Sequence, residues 1–254
     1  MIIDGYAHCG ISKFLPVKDV LEVTDQAGVS RCLLCQHLGE YDNSYLAGVV
    51  SRYPERFSAA CLVDPDAPGA VEDLGRWHAT GRFRGLRILA KTLDSNQALC
   101  LEAIRLGMNL VVYSPGGITT ALPGLRRLLE QRSDGTIVIS HLGDPQIKED
   151  QLVSGRQLLE LASEPSIYVL LSGLSMFCEY PYAPLGSLVS EVIGSFGPQR
   201  ILWGSNFPVC GDGEAYVRDL QMVLSGSWNL QEEEIEWITR RTAASIWFED
   251  KSSG

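Results

Sequence analysis

Short runs of β-branched and apolar residues alternate along this chain with longer stretches whose apolar positions recur every three to four residues. The first pattern is that of a strand buried on both faces; the second is that of a helix laid against it. Strands are expected at 2–8, 31–37, 57–63, 83–89, 109–113, 136–140, 167–171 and 200–203. Helices are expected at 16–28, 43–53, 68–80, 96–106, 119–131, 154–162 and 185–196, and two more, 214–224 and 230–247, close the chain. Pro16 near the first turn and Gly28 at the end suit the first helix. Asn229, with Glu232 three residues later, predicts the cap of the last.

Eight strand–helix pairs in alternation predict a parallel sheet, and eight is the number that closes a (β/α)8 barrel. The 254 residues match that fold, which typically takes about 250. An open, doubly wound sheet would be favoured by a glycine-rich phosphate loop after the first strand. The segment there, Cys9-Gly10-Ile11-Ser12, has none. The sequence therefore reads as an α/β protein, a single-domain (β/α)8 TIM barrel over residues 1–250, with a frayed tail at 251–254.

Composition narrows the function more than the fold. Hydrophobic residues make up 45% of the chain, enough for a sizeable core. The formal net charge of −10 repels phosphate backbones and argues against a nucleic-acid partner. No apolar run reaches the ~18 residues of a membrane span, and the first residues lack the basic and apolar pattern of a secretory leader. A cytoplasmic protein acting on a small molecule is expected, with homo-oligomerisation left open. Seven cysteines, an odd number in a long chain, argue against a disulfide framework. Cys32 and Cys35 form a C-x-x-C inside an apolar strand run. Residues three apart on a strand face opposite sides, so two buried thiols are expected rather than a redox pair.

In such a barrel the chemistry lies at the C-terminal ends of the strands. Polar residues there are Tyr6 and His8 on the first strand, His37 on the second, Arg87 on the fourth and Tyr113 and Ser114 on the fifth. His141 follows the sixth strand, Ser172 ends the seventh and Asn206 follows the eighth. Three of the four histidines fall at strand ends; His78 lies within a helix beside Trp77 and reads as a packing or surface residue.

The run Ile2-Ile3-Asp4-Gly5-Tyr6-Ala7-His8 resembles the first-strand motif of the amidohydrolase-2 group of the amidohydrolase superfamily, in which aspartate precedes an H-x-H pair. Ile139-Ser140-His141-Leu142-Gly143 is similar to that group's sixth-strand histidine motif, and Gly204-Ser205-Asn206-Phe207-Pro208 to its eighth-strand motif. Phe83-Arg84-Gly85-Leu86-Arg87 and Tyr168-Val169-Leu170-Leu171-Ser172-Gly173 are similar to its fourth and seventh strands, all in chain order. The group includes lactonases and decarboxylases.

The resemblance also marks departures. Metal-dependent members take ligands from two first-strand histidines, a fifth-strand histidine and an eighth-strand aspartate. Here Tyr6, Tyr113 or Ser114, and Asn206 stand at three of those places, and His8 alone remains. No bound metal or other cofactor is expected, zinc being disfavoured because a catalytic site needs three protein ligands from His, Glu, Asp or Cys. The resemblance then implies a metal-independent hydrolase of a small carboxylated lactone or related cyclic carbonyl compound. In it His141 would be the base, His8 and Tyr6 would polarise the carbonyl, and Asn206 would donate to an oxyanion. Arg87 would hold an anionic group. His37, Tyr113, Ser172 and Tyr180 complete the expected substrate site, with loops 177–184 and 209–213 shaping specificity. Decarboxylation or dehydration on the same barrel, and a catalytically silent ligand-binding barrel, are the alternatives.

Overall fold

The computed structural model describes residues 1–249, so the predicted tail at 251–254 and the boundary at 250 lie outside the described residues. Ten strands occur among them: β1 (Ile2–Ala7), β2 (Val29–Cys35), β3 (Phe57–Cys61), β4 (Gly85–Leu89), β5 (Asn109–Tyr113), β6 (Ile137–Ile139), β7 (Gln146–Lys148), β8 (Gln151–Ser154), β9 (Ile167–Ser172) and β10 (Ile201–Gly204). Eight of them form one parallel sheet in the order β1-β2-β3-β4-β5-β6-β9-β10. Just past β10 the sheet closes on itself. Asn206 N–H donates to the Tyr6 carbonyl and His8 N–H to the Phe207 carbonyl, each at 2.8 Å. The seam is tight: a Cβ on Gly204 would stand 2.7 Å from Tyr6 Cβ, so only glycine allows β1 and β10 this approach. The fold is the expected (β/α)8 barrel.

Helices α1 (Val17–Gln26), α2 (Ser44–Arg52), α3 (Ala70–Ala79), α4 (Thr92–Ser95), α5 (Gln97–Arg105), α6 (Leu122–Gln131), α7 (Gly186–Phe196) and α8 (Gly213–Leu224) surround the strands. α6 shows why: it buries Leu122, Leu125 and Leu128, one face of the helical period, and points its arginines outward. None of the helices among the described residues is long and apolar enough to cross a membrane.

Alternation along the strands sorts the core into two layers. Cys32 belongs to the layer between strands and helices and Cys35 to the barrel interior, so the C-x-x-C is split across the wall, and both thiols are free and buried. Ile3 and Tyr6 are three residues apart yet both face inward. A register irregularity between Asp4 and Ala7 makes this possible, since it shifts the side-chain phase by one.

Two predicted helices change. Residues 154–162 do not form an α-helix: β7 and β8 make a hairpin, and a 3-10 helix follows at Arg156–Leu161. Glu149 and Asp150 both take positive φ, the two-residue hairpin turn that matches strand twist. Leu158 and Leu161, buried three residues apart, fit the tighter 3-10 period. The last helix is capped by Gln231 with Glu234, not by Asn229 with Glu232. Asn229 and Trp228 sit at positive φ in a preceding turn, which leaves Asn229 outside the helix.

That closing segment, α9 (Glu232–Glu236), a π-helical turn at Trp237–Arg241 and α10 (Thr242–Trp247), plugs the barrel. Ala243, Ile246 and Trp247 join the interior layer with Ile3, Leu33 and Val111, and the Ile246 carbonyl accepts from Asn109 Nδ2 at 2.6 Å. Trp247→Ala should therefore cost about 4 kcal/mol, as deleting a fully buried aromatic does. Chemical denaturation of both forms measures this, and a loss under about 1 kcal/mol would show that the plug is dispensable.

Candidate active site

The strand ends opposite the plug surround an open cavity of ≈ 140 Å³. Four predicted groups meet there from four strand ends: His8 after β1, His37 after β2, Arg87 on β4 and Tyr113 on β5. His141, after β6, and Asn206, after β10, complete the wall. Tyr6 lies against this group, its ring edge-on to both His8 and His141 with centroids 5.0 Å from each.

His8 Nδ1 stands 2.7 Å from the carbonyl of Cys35. A carbonyl only accepts, so Nδ1 carries the proton and the neutral ring keeps its lone pair on Nε2. Phe14 stacks on the ring at 4.7 Å and holds its plane. His141 Nδ1 is 2.9 Å from Ser172 Oγ, a hydroxyl that can give or take a proton, so this ring can present either an N–H or a lone pair at Nε2. Ser172 thus serves by orienting His141. Burial, with the Arg87 charge second, holds His8 well below its usual pKa and takes His141 down to about 3. Both rings are neutral near pH 7.

Arg87 is 5% exposed, and among the described residues no carboxylate lies within ion-pair distance of it. Its Nη1 donates to the Gln36 carbonyl at 2.7 Å, and the guanidinium lies over the rings of Tyr6 and Tyr113. The Tyr6 hydroxyl is also buried, beside the Arg87 guanidinium, and burial raises its pKa. Among the described residues no acidic side chain lines the cavity, while Lys13 stands on its rim. An acidic protein has here built a cationic hole.

His141 and Asn206 both have left-handed backbone, φ +54° and +57°. That conformation is uncommon for residues other than glycine, least so for asparagine, and persists where surrounding structure enforces it. For Asn206 the enforcement is visible. Asp4 accepts from the backbone N–H groups of Tyr6 and Ser205 and from the hydroxyls of Ser205 and Tyr216, all within 3.0 Å. Burial pushes its pKa up to about 6 despite these donors. The clamp ties β1 to the turn that carries Asn206, whose Nδ2 lies 3.2 Å from Met176 Sδ.

Tyr180 is not brought into the cavity. It is 49% exposed and stacks on Arg218, because the loop turns it outward over α8. Phe14, Lys13, Leu38 and Met176, which do line the cavity, went unpredicted, while Val209 lines it from the predicted loop 209–213. An aromatic and a lysine side by side in the loop after β1 were the available signal.

The residues present do not fit a catalytic metal. Among the described residues no three His, Cys, Asp or Glu side chains come close enough together to hold one ion. His8 offers one nitrogen, and an uncompensated guanidinium faces the same space.

Comparison with known proteins agrees with this architecture. The chain is 28% identical over 222 residues to the L-fucono-1,5-lactonase of Burkholderia ambifaria, covering 76% of this chain and 69% of that one. Its structure is similar to an amidohydrolase from Burkholderia multivorans with bound zinc, at TM-score 0.76 and 17% identity over 97% of this chain and 98% of that one. It is also similar to a putative 2-pyrone-4,6-dicarboxylic acid hydrolase from Pseudomonas putida, at TM-score 0.78 and 19% identity over 96% of each. At these identities the two structures establish the barrel alone. The Amidohydrolase family model matches residues 111–248, from within β5 through the plug, and so takes in the strand ends that carry Tyr113, His141, Ser172 and Asn206. By that match the chain belongs to the Amidohydrolase family.

Proposed function

We propose that this protein hydrolyses a small carboxylated lactone without a metal. The observation that carries this reading is Arg87, a buried cation with no carboxylate partner among the described residues, facing a cavity that it shares with the neutral His8 and His141. Leaving a charge unpaired and out of water costs several kcal/mol. A site that keeps one is built to receive the opposite charge, and Arg presents its donors as a planar fork suited to a carboxylate.

The tautomers exchange the roles expected from sequence. His8 cannot polarise a carbonyl, because its cavity-side Nε2 bears no proton while the ring is neutral. It suits the base. His141 suits the donor, with Ser172 Oγ–H donating to Nδ1 and Nε2–H directed at the substrate. In the proposed step, water attacks the lactone carbonyl carbon as His8 Nε2 takes its proton. The resulting oxyanion accepts from His141 and from the Asn206 side-chain amide. The ring C–O bond then breaks, and the His8 imidazolium returns its proton to the leaving alkoxide. A carboxylate bound at Arg87 offsets the charge that depresses His8 and so strengthens the base when substrate is present.

The test is hydrolysis of 2-pyrone-4,6-dicarboxylate, followed by loss of its ring absorbance, beside L-fucono-1,5-lactone with a pH indicator. Each assay is run with a chelator and with added zinc. Turnover of the dicarboxylate that survives chelation, and little on the uncharged sugar lactone, is expected. Turnover of the uncharged lactone alone, or activity that requires zinc, would refute the reading. A cavity without acids also suits decarboxylation, which needs no activated water. Carbon dioxide release with the ring intact would put that reaction in place of hydrolysis.

A further inference from the structure

A second cavity of ≈ 80 Å³ opens beside the first, between the ends of β3 and β4 and the loop after β2. Arg87 and Leu38 line both cavities. The rest of the second wall is mostly apolar: Leu62, Val63, Ile88 and Leu89 at the strand ends, with Tyr41 and Pro65 above them. The charged pair Lys91 and Asp66 stands on its rim, 3.9 Å apart and largely in water. Leu62, Val63 and Ile88 are each at most 5% exposed, so this hollow is set into the molecule rather than laid on its surface.

We infer that this hollow is a substrate subsite that takes a short alkyl or aryl arm carried by the same molecule whose carboxylate Arg87 holds. The inference rests on the proposed role of Arg87 and adds to it a second chemical requirement. Two independent observations converge on the wall that the cavities share. Arg87 lines both cavities and has no carboxylate partner among the described residues, so its charge faces the space where they meet. The hollow is also mostly apolar, so water inside it finds few of the two to four polar partners that a bound water needs. An apolar group there would leave water for carbon contacts, while its carboxylate completed the arginine. Tyr41, 42% exposed on the lip, and Met176 and Val209 across the mouth, exposed at 40% and 45%, give an amphipathic ligand an apolar approach. A polyhydroxylated sugar acid would gain nothing in this hollow, so the preferred substrate is a carboxylated ring or ester with an apolar substituent.

Calorimetry of the full chain with sodium acetate, isobutyrate and phenylacetate, and with neutral benzyl alcohol, tests this without knowledge of the substrate. Affinity should rise along the three carboxylates, with phenylacetate at least tenfold tighter than acetate, and benzyl alcohol should bind poorly. Leu89→Trp, which fills the hollow from a half-buried position, should remove the phenylacetate advantage and leave acetate binding unchanged. Equal affinities for all three carboxylates would overturn the subsite while leaving the role of Arg87 standing. So would a phenylacetate advantage that persists in Leu89→Trp. Failure of every carboxylate to bind, or binding unchanged in Arg87→Met, would overturn the role of Arg87 and the subsite with it.

Discussion

Arg87→Met should give a protein that is harder to unfold yet almost inactive. The guanidinium has one carbonyl acceptor and two aromatic rings in place of a carboxylate, and it is nearly out of water. Methionine has a similar length, fills the same channel and needs no solvation. Replacing buried charge by apolar side chains is often stabilising, here by an expected gain of about 1–2 kcal/mol. For a chain of this size that corresponds to a rise in Tm of about 3–6 °C. Activity should move the other way. Removing one partner of a buried charge pair costs about 2–5 kcal/mol, so kcat/KM on the carboxylated substrate should fall by at least about 30-fold. Arg87→Lys should fall between, losing about tenfold because it keeps the charge but not the fork. A variant that melts earlier and still turns over substrate would make Arg87 a brace of the barrel wall and withdraw its role in binding.

The two cavity histidines should separate in a way that reports which one is the base. His8→Gln removes a ring nitrogen whose lone pair is fixed toward the cavity, and kcat should fall about 1000-fold, within the range for loss of a general base. His141→Gln keeps an amide N–H able to donate where Nε2–H stood, and should cost about tenfold to 100-fold. The reverse order would return the base to His141. The pH profiles carry the same argument. A lowered histidine pKa favours the neutral ring, so kcat/KM, which reports the free enzyme, should be level from about pH 6.5 upward and fall only at lower pH. In the complex the bound carboxylate offsets Arg87 and favours the imidazolium, so the His8 pKa rises. The acid limb of kcat should therefore lie at higher pH than that of kcat/KM. Coincident limbs would mean that the bound anion does not neutralise Arg87.

Parts of the site were legible in the chain because the barrel maps strand ends onto one rim. His8, His37, Arg87, Tyr113, His141 and Asn206 could be grouped from their positions in the repeat alone, and they do line one cavity. Tyr180 could not be placed in that way. It lies in a loop, where neither strand nor helix periodicity constrains direction, and a contact with Arg218 decides its orientation. The hairpin of β7 and β8 escaped notice for a related reason. Its strands are three and four residues long, too short for an alternation to stand out, and a left-handed Glu-Asp turn carries no glycine signal.

The sequence by itself determined the barrel, the order of its strands and the ring of polar strand ends. Those follow from hydrophobic periodicity, which is written locally and read by each segment against the same core. Only the tertiary structure decided what the polar groups can do. The His8 tautomer is set by the carbonyl of Cys35, 27 residues away. The orientation of His141 is set by a hydroxyl 31 residues away, and the Asn206 turn is held by an aspartate at the other end of the chain. The isolation of Arg87 is likewise a matter of which side chains fail to arrive, which no local pattern records. Protonation and charge depend on burial and on neighbours across strands, and these exist only once the barrel has closed.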